Sequence, residues 1–314
     1  YCNEQFLLIL SKENVIGLEI KDLDIKSIQS LYKKTKRTKS ADIEFEIDTV
    51  DEETKWILAS MNQSKTTKEF ILVIHDITQL RQLNSMRRDF ISNVSHELRT
   101  PVSVIRANSE TLLESALEDK KQSKVFAKAI LHNSERLTEM VTDLLDLSRI
   151  EHGELKLHIE KLNLQECIDQ SIDSLKNLGK KKNVVIKCKC PNKTQHVLAD
   201  KKALERILTN LIDNAFKYTE EDSVINIATK TKHKDDNILI SITDSGKGIP
   251  DKDKLVIFDR FFRTAEARAS EKKGSGLGLA IVKNLVNSLN GDVGVKNAPN
   301  NKGSQFWITL PIAR

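Results

Sequence analysis

The chain has 314 residues, of which 39% are hydrophobic and 30% are charged, and its net charge is +5. At roughly 100–200 residues per domain, this length predicts two or three domains. No apolar run approaches the roughly 18 residues that a membrane-spanning helix needs. The basic runs at 33–39 and 180–189 contain no interleaved aromatic residues, so solvated loops are favoured over a nucleic-acid surface.

Four cysteines occur in the chain, at Cys2, Cys167, Cys188 and Cys190. Their scattered positions in a chain of this size are typical of reduced thiols in the cytosol. The Cys-Lys-Cys spacing differs from that of a zinc finger. The cysteines therefore predict neither a disulfide framework nor a zinc site.

Residues 1–77 contain three short runs of strand-like sequence. In the first of them, Ile43, Phe45 and Ile47 alternate with acidic residues, which is the pattern of a half-buried antiparallel strand. Two charged turns separate the three runs. This region is predicted to be a small α+β domain with a curved sheet.

Residues 78–151 have the pattern of two long helices. The apolar stripe of the first helix is predicted at Phe90, Val94, Leu98, Val102 and Ile105. The stripe of the second helix is predicted at Ile130, Leu137, Met140, Leu144 and Leu147. Two such helices form a hairpin with one apolar seam, and a hairpin alone exposes that seam. Dimerisation into a four-helix bundle is therefore predicted.

Residues 152–314 mix helices and strands. Helical patterns occupy 164–178, 201–218 and 277–289, and strand patterns occupy 183–189, 223–230, 237–244, 292–297 and 304–310. The prediction is a sheet covered by helices, an α/β sandwich.

His96 lies about 200° around the first helix from Val94, so it is predicted to face water. Glu97 is adjacent, Thr100 is one turn further on the same face, and Pro101 favours a kink. A neutral imidazole is a nucleophile, and a neighbouring carboxylate can accept its proton. From these residues alone, an ordinary structural histidine remains the alternative.

The segment 204–219 has a polar stripe beside its apolar one, made by Asn210, Asn214, Lys217 and Tyr218. Asparagine is unfavourable inside a helix, so two stacked asparagines indicate amide oxygens that bind a hard group such as Mg²⁺ with phosphates. In this interpretation Lys217 contacts phosphate and Tyr218 lies beside a base. Simple solvation of the asparagines is the alternative.

The segment 237–250 continues a buried strand face with a carboxylate. Ile238, Ile240 and Ile242 alternate along the strand, and Asp244 falls on the same face. A buried carboxylate needs a donor, which the amine of adenine would supply. Gly246 and Gly248 follow and permit close backbone approach. An Asx turn explains these glycines equally well, but it does not explain the position of the carboxylate.

The segment 258–286 contains a glycine-rich helix start. Gly274, Gly276 and Gly278 precede Leu279, and a helix N-terminus there suits phosphate oxygens. The polar segment 264–273 before them is predicted to be a mobile lid. Arg263 is predicted to stabilise a γ-phosphate.

The run SHELRTP at 95–101 resembles the H-box of bacterial two-component sensor histidine kinases. The resemblance implies that His96 is the phosphoacceptor, that Glu97 is its general base, and that Thr100 positions water for dephosphorylation of a partner. The three C-terminal motifs resemble the same family in order and spacing. They imply Asn214 as a Mg²⁺ ligand and Asp244 as the adenine-reading residue.

The resemblance implies a multidomain α+β protein. Residues 1–77 are similar to a PAS sensory domain truncated at its N-terminus, 78–151 to the dimerisation and phosphotransfer hairpin, and 152–314 to a Bergerat-type ATP-binding domain. The implied activity is autophosphorylation of His96 from Mg-ATP and transfer to an aspartate of a response regulator, with a phosphatase activity toward that regulator.

The implied partners are a second copy of the chain and a response-regulator receiver domain, and no nucleic acid. The implied location is the cytoplasm, with any membrane anchor upstream of residue 1. Two alternatives remain. An ATPase of the same sandwich type places a glutamate four residues before the metal asparagine, where this chain has Asn210. A non-catalytic dimeric scaffold is disfavoured by the intact motifs.

Overall fold

The computed structural model describes residues 2–9, 14–23, 25–48, 54–114, 119–176, 183–190, 195–232, 236–269, 274–299 and 302–313. The chain forms two compact units, residues 1–92 and 93–314. Among the described helices, none combines the length and the apolar character needed to cross a bilayer.

Among its described residues before Thr78, the first unit contains two α-helices, a short 3₁₀ helix at Ile20–Leu23 and a three-stranded sheet. Its elements are α1 Glu4–Ile9, α2 Lys26–Thr38, β1 Ser40–Asp48, β2 Thr54–Gln63 and β3 Phe70–Asp76. The strands are antiparallel and lie in the order β1-β2-β3. The predicted α+β character and the three strands of this region are confirmed.

The core of the first unit lies between α2 and the sheet. Ile28 and Leu31 on α2 are buried against Phe45, Ile57 and the neighbouring strand residues. Along β1, Ala41 and Phe45 are buried, Ile43 and Ile47 are half-buried, and the acidic residues between them are mostly exposed. The alternation is thus that of a strand with one face on a core.

A group of hydrogen bonds joins the sheet to the next helix, α3 Thr78–Glu114. The Thr78 hydroxyl donates to Oδ1 of Asp76 at 2.6 Å and accepts from the backbone N–H of Trp56 at 2.9 Å. The backbone N–H of Thr78 also donates to Asp76 at 2.9 Å. The hydroxyl bond is the largest cause of a lowered pKa of the Asp76 carboxyl.

Replacing Thr78 with alanine is expected to destabilise the first unit by about 1–2 kcal/mol, because one hydroxyl serves both Trp56 and Asp76. A carboxyl with a lowered folded pKa contributes stability above its unfolded pKa and loses it as pH falls through the folded pKa. The penalty is therefore expected to be full at neutral pH and to shrink below about pH 4. Urea unfolding followed by Trp56 fluorescence, with Trp307 replaced by phenylalanine, measures it.

Thr78→Ser is the matched control, since serine keeps the hydroxyl, and it should retain most of the stability at neutral pH. A difference between the serine and alanine variants that stays constant into the acid range would contradict the role of Asp76.

The second long helix is α4, Lys120–Glu151, and Asp119 caps its N-terminus by accepting from two backbone N–H groups. The two helical patterns predicted for 78–151 are confirmed. The segment 115–123, which joins the two helices, lies partly outside the described residues. On α4, Met140 and Leu147 are buried, and Ile130, Leu137 and Leu144 are half-buried.

The stripe on α3 was predicted as a seam that a hairpin alone exposes, and its neighbouring positions differ in burial within the single chain. Val102 is 49% exposed, whereas Pro101 is buried. At 100° per residue, Pro101 lies within about 20° of the direction of Phe90, but Val102 lies about 120° away. A step of three residues after Leu98 therefore keeps the stripe on one face, and a step of four leaves it.

The rest of the second unit is a sheet with helices. Its elements are β4 Glu160–Asn163, α5 Leu164–Ser174, β5 Val185–Lys189, β6 His196–Ala199, α6 Lys201–Tyr218, β7 Val224–Lys232, β8 Asn237–Thr243, α7 Ala265–Ala269, α8 Gly278–Ser288, β9 Val293–Asn297 and β10 Ser304–Pro311. The predicted helices and strands are all present, although residues 177 and 178 of the first helix lie outside the described residues. The pairing of β4 with β6 is an addition that the sequence did not indicate.

The main sheet has five strands in the order β5-β7-β8-β10-β9. Only β5 and β7 are parallel, and the other neighbours are antiparallel. Helices α5, α6 and α8 pack together and cover this sheet, and α4 packs against α8. The α/β sandwich is confirmed, and one end of it holds the predicted nucleotide residues.

Candidate functional site

Helix α6 presents one face to the core and another to a cavity. Asp200 caps it by accepting from the N–H of Ala203 at 2.9 Å. The apolar stripe beside the predicted polar one consists of Leu204, Leu208, Leu211 and Ala215, and these side chains are at most 1% exposed. The predicted polar stripe, at Asn210, Asn214, Lys217 and Tyr218, is half-buried along the cavity.

The cavity has a volume of about 1150 Å³ and lies in the second unit. Its lining brings together most of the predicted nucleotide residues from four separate segments. These are Asn210, Asn214, Lys217, Tyr218, Asp244, Gly248, Arg263, Gly274, Gly276, Gly278 and Leu279. Of the predicted set, Gly246 is not a lining residue, although its backbone N–H contacts Asp244.

Asp244 follows the last residue of β8 and is 5% exposed, as the alternation of Ile238, Ile240 and Ile242 predicted. Its Oδ1 accepts from the backbone N–H of Gly246 at 2.8 Å and from that of Ser304 at 3.2 Å. These two bonds satisfy part of the buried charge and fix the orientation of the carboxylate. The donor from Ser304, at the start of β10, was not predicted.

Arg263 lies at the edge of the cavity, before the short helix α7. Its guanidinium donates to the carbonyl of Ala267, and the N–H of Ala267 donates to the Thr264 hydroxyl at 3.2 Å. The predicted lid, 264–273, is thus described only as far as 269, where these bonds give it one helical turn. The basic residues Lys272 and Lys273 lie outside the described residues.

Asn210 supplies a direct test of whether phosphate fits this cavity. Its Nδ2 is buried and has no hydrogen-bond partner among the described residues. Gly278 packs against it so closely that a Cβ there would lie 3.1 Å from Oδ1 of Asn210. A buried amide donor without a partner costs free energy, which a phosphate oxygen would recover.

The cavity offers a metal ion both asparagine amide oxygens and carboxylates, and the carboxylates of Asp143 and Asp213 are already held in ion pairs. Across the described ranges, no group of three or more His, Cys, Asp and Glu side chains could hold a metal. Mg²⁺ usually keeps several waters and takes one or two protein ligands together with substrate phosphates. The lining asparagines therefore fit Mg²⁺ bound through a nucleotide.

Helix α4 forms one wall of the cavity, which the sequence reasoning missed. The lining side chains from α4 are His132, Glu135, Arg136, Glu139, Met140 and Asp143. Asp143 forms an ion pair with Arg206 of α6. Burial raises the pKa of the Asp143 carboxyl, and the Arg206 guanidinium opposes this effect. The polar residues recur on one face of α4, which is the signal that indicates such a wall.

The H-box residues lie on α3, and the described lining of the cavity does not include them. His96 is exposed, as predicted, and its carbonyl accepts from the Thr100 hydroxyl at 3.3 Å. Glu97 is half-buried and pairs with Arg136 of α4 at 3.4 Å. Because Arg136 also lines the cavity, it lies between Glu97 and the nucleotide residues.

Gly276 has a backbone conformation that other residues rarely adopt, with φ of +73°. A Cβ there would lie 2.8 Å from two backbone atoms of Phe261. Gly276→Ala is expected to destabilise the second unit by about 1–3 kcal/mol and to lower its Tm. Differential scanning calorimetry measures this shift.

Gly274→Ala is the matched control, since a Cβ at Gly274 would meet no atom of the described residues within 4 Å. Its free energy of unfolding should change by about 0.5 kcal/mol or less, as for ordinary surface substitutions. Its Tm should therefore stay close to that of the wild type. Equal Tm values for the two variants would contradict the steric role of Gly276.

Two family models match the chain. The model described as "His Kinase A (phospho-acceptor) domain" matches residues 86–153. The model described as "Histidine kinase-, DNA gyrase B-, and HSP90-like ATPase" matches residues 199–314. The first match contains the H-box, and the second contains Asp244 and the cavity residues of α6 and α8.

Known proteins resemble the chain over most of its length. The sensor histidine kinase WalK of Bacillus subtilis (strain 168) is 34% identical over 241 residues, covering 77% of this chain and 39% of that protein. The chain thus spans less than half of the length of this relative. The structure of the histidine kinase ThkA in complex with the response regulator protein TrrA shares the fold, with a TM-score of 0.59 at 22% identity. That similarity covers 100% of this chain and 92% of that one.

The similarity to another relative extends over a larger share of each of the two chains. The sensor protein kinase WalK of Staphylococcus aureus is 32% identical over 311 residues, covering 97% of this chain and 73% of that protein. Similarity at this level extends across both compact units and both matched family regions. The chain therefore belongs to the family of sensor histidine kinases.

Proposed function

We propose that the chain binds Mg-ATP in the cavity, phosphorylates His96, and passes the phosphoryl group to an aspartate of a response regulator. The observation that supports this most directly is the buried Nδ2 of Asn210, which has no hydrogen-bond partner in the part of the chain that the structure describes and lies in a cavity lined by the nucleotide motifs. A phosphohistidine motif on α3 of the same unit supplies the acceptor. The kinase ThkA, which shares this fold, forms a complex with the response regulator protein TrrA, and this supports a partner of the same kind here.

The cavity residues divide into those that bind the base and those that bind the phosphates and the metal ion. Asp244 accepts from the adenine amine, and Tyr218 lies beside the base. Lys217, Arg263 and the backbone amides at 276–278 meet the phosphates, and Asn210 donates to one of them. Asn214 contributes its amide oxygen to Mg²⁺, which would neutralise negative charge on the phosphates as the transfer proceeds. Positioning and charge neutralisation account for most of the acceleration in such transfers.

The acceptor side depends on three residues of α3. The imidazole of His96 attacks the γ-phosphorus in line, and Glu97 accepts its proton. Glu97 is ion-paired with Arg136 in the single chain, and acceptance of a proton by this carboxylate would break that pair. Thr100 positions water when the phosphoryl group is removed from the regulator. Since His96 is outside the described lining of the cavity, transfer requires the ATP-binding part to change position relative to α3.

A homodimer is supported by apolar side chains that the single chain leaves exposed. On α3 and α4 of the second unit these are Val102, Val104, Leu113, Val125, Leu131, Val141 and Leu145. A second copy packed as a four-helix bundle would bury them. Residues 1–77 are proposed to be the C-terminal part of a PAS sensory domain in the cytoplasmic portion of the protein, supported by the β1-β2-β3 meander and α2.

ATP hydrolysis as the main activity is disfavoured by one residue. The position four residues before Asn214 would hold the glutamate base of a related ATPase, and here it is Asn210, which cannot accept a proton from water. Incubation with γ-labelled ATP and Mg²⁺ tests the proposal. Label on the protein that is stable in alkali and labile in acid is expected. Release of free phosphate without a labelled protein would support the ATPase instead.

A further inference from the structure

Cys188 and Cys190 form a pair of adjacent thiols away from the nucleotide cavity. Cys188 lies on β5, the edge strand of the main sheet, and Cys190 follows its last residue. Side chains two residues apart in a strand share a face, and here the two Sγ atoms are 3.0 Å apart. Gln165 of α5 lies over the pair, with Nε2 at 3.9 Å from the sulfur of Cys188.

The backbone at this position can accommodate a bond between the two sulfurs. Residues two apart in a strand have Cα atoms about 6.6 Å apart, which is near the upper limit of about 6.8 Å for a disulfide. The ladder between β5 and β7 ends at Lys189, opposite Ala228. Cys190 therefore lies beyond the last paired residue, and its backbone can adjust without loss of a ladder bond.

The two thiols differ in acidity. The hydrogen bond from Cys188 lowers the pKa of the Cys190 thiol to about 7, against the effect of burial, and the Thr229 hydroxyl adds to the lowering. The same hydrogen bond raises the pKa of Cys188. This difference favours the nucleophilic thiolate at Cys190 beside a protonated Cys188. Burial raises the pKa of Cys167, so that thiol is less reactive.

We propose that Cys188 and Cys190 form a reversible intrachain disulfide when the protein meets a hydroperoxide. The Cys190 thiolate attacks the O–O bond, forming a sulfenic acid and releasing an alkoxide or hydroxide. The Cys188 thiol then attacks the sulfenic sulfur, the S–S bond forms, and the oxygen leaves as water with the thiol proton. The two sulfurs lose two electrons in total, and these reduce the peroxide.

A disulfide at this position would be labile. Its Cα separation is near the limit of the allowed range, and strained or exposed disulfides are the ones most easily reduced. A low-molecular-weight thiol would reopen it by exchange, so the site cycles rather than accumulates oxidised protein. Such transient bonds are the kind that cytosolic proteins form. The site lies outside the described lining of the nucleotide cavity, so no step of this oxidation uses a residue of the proposed nucleotide site.

The test counts thiols on the reduced chain before and after one equivalent of hydrogen peroxide at pH 7. The wild type is expected to fall from four to two titratable thiols under denaturing conditions, to stay monomeric on non-reducing electrophoresis, and to regain four after dithiothreitol. Peptide mass spectrometry should find the loss of two hydrogens in the peptide that contains Cys188 and Cys190.

Three variants make the assignment specific. Cys2→Ser should still lose two thiols. Cys188→Ser should instead accumulate a sulfenic acid at Cys190 that dimedone traps, and Cys190→Ser should react much more slowly. Retention of all four thiols in the wild type, intermolecular dimers, or an unchanged two-thiol loss in either Cys188→Ser or Cys190→Ser would each overturn the proposal.

Discussion

His96→Gln is expected to give no acid-labile label after incubation with γ-labelled ATP, while the affinity for a non-hydrolysable ATP analogue stays unchanged. Glutamine is a good helix former, and position 96 is exposed on α3, so the variant should keep the fold. Because His96 is absent from the described lining of the cavity, its removal takes away the acceptor without altering the nucleotide site. Autoradiography and equilibrium binding measure the two quantities on the same preparation.

The matched control is His132→Gln. His132 is also exposed and helical, but it lies on α4 and lines the cavity, so proximity to nucleotide alone would favour it as acceptor. The histidine of the H-box predicts the opposite result, with His132→Gln labelled like the wild type. Label that persists in His96→Gln and disappears in His132→Gln would move the acceptor to α4 and would require a different family mechanism.

Local periodicity predicted the parts of the site that belong to one element. Asp244 could be placed on the buried face because side chains alternate strictly along a strand. The stripe of Asn210, Asn214 and Lys217 could be placed because helical positions three and four apart are neighbours. In the first case a carboxylate lies on a buried face, and in the second case two asparagines lie inside a helix. Both residue types are unfavourable at those positions, and this indicated a function.

Contacts between distant elements could not be predicted in the same way. The N–H of Ser304 reaches Asp244 across 60 residues of sequence, and Arg136 reaches Glu97 across 39. Such pairs depend on how α4, β8 and β10 pack, and no spacing rule within one element specifies that. The polar face of α4 was visible in the sequence, but its partner was not.

Val102 differs from Pro101 in which side of α3 it occupies. Three successive steps of four residues from Phe90 rotate Val102 by about 120°, whereas the buried Pro101 lies within about 20° of Phe90. Periodicity along one helix therefore gives the direction of a side chain, but it does not say whether that direction meets the same chain or a second copy.

Asp244→Asn is expected to weaken ATP binding by roughly 10- to 150-fold, the equivalent of one hydrogen bond to a charged group. The backbone amides of Gly246 and Ser304 donate to Oδ1, and the carboxamide oxygen of asparagine can accept both bonds. Those bonds would place the new NH₂ group where the second carboxylate oxygen lies in the wild type. An NH₂ group there meets the amine of adenine donor to donor.

The same orientation is expected to change the preference between bases, which a general distortion of the nucleotide site would not do. Inosine triphosphate has a carbonyl oxygen where ATP has the amine, so the new NH₂ group can donate to it. The ratio of ITP to ATP affinity is therefore expected to rise in Asp244→Asn, measured by calorimetric titration of both nucleotides with Mg²⁺. An unchanged Tm would show that the buried bonds to Gly246 and Ser304 persist.

Asp251→Asn is the matched control for charge, because Asp251 also lines the cavity but its carboxylate is largely exposed and pairs with Lys254. Removing this charge should change ATP and ITP affinity in parallel and by little, since exposed pairs contribute about 1 kcal/mol or less. If Asp244→Asn weakened both nucleotides by the same factor, Asp244 would act through charge or packing alone. Only a rise in the ITP to ATP ratio confined to Asp244→Asn assigns the reading of adenine to this carboxylate, because only there is the replaced oxygen oriented by two backbone donors.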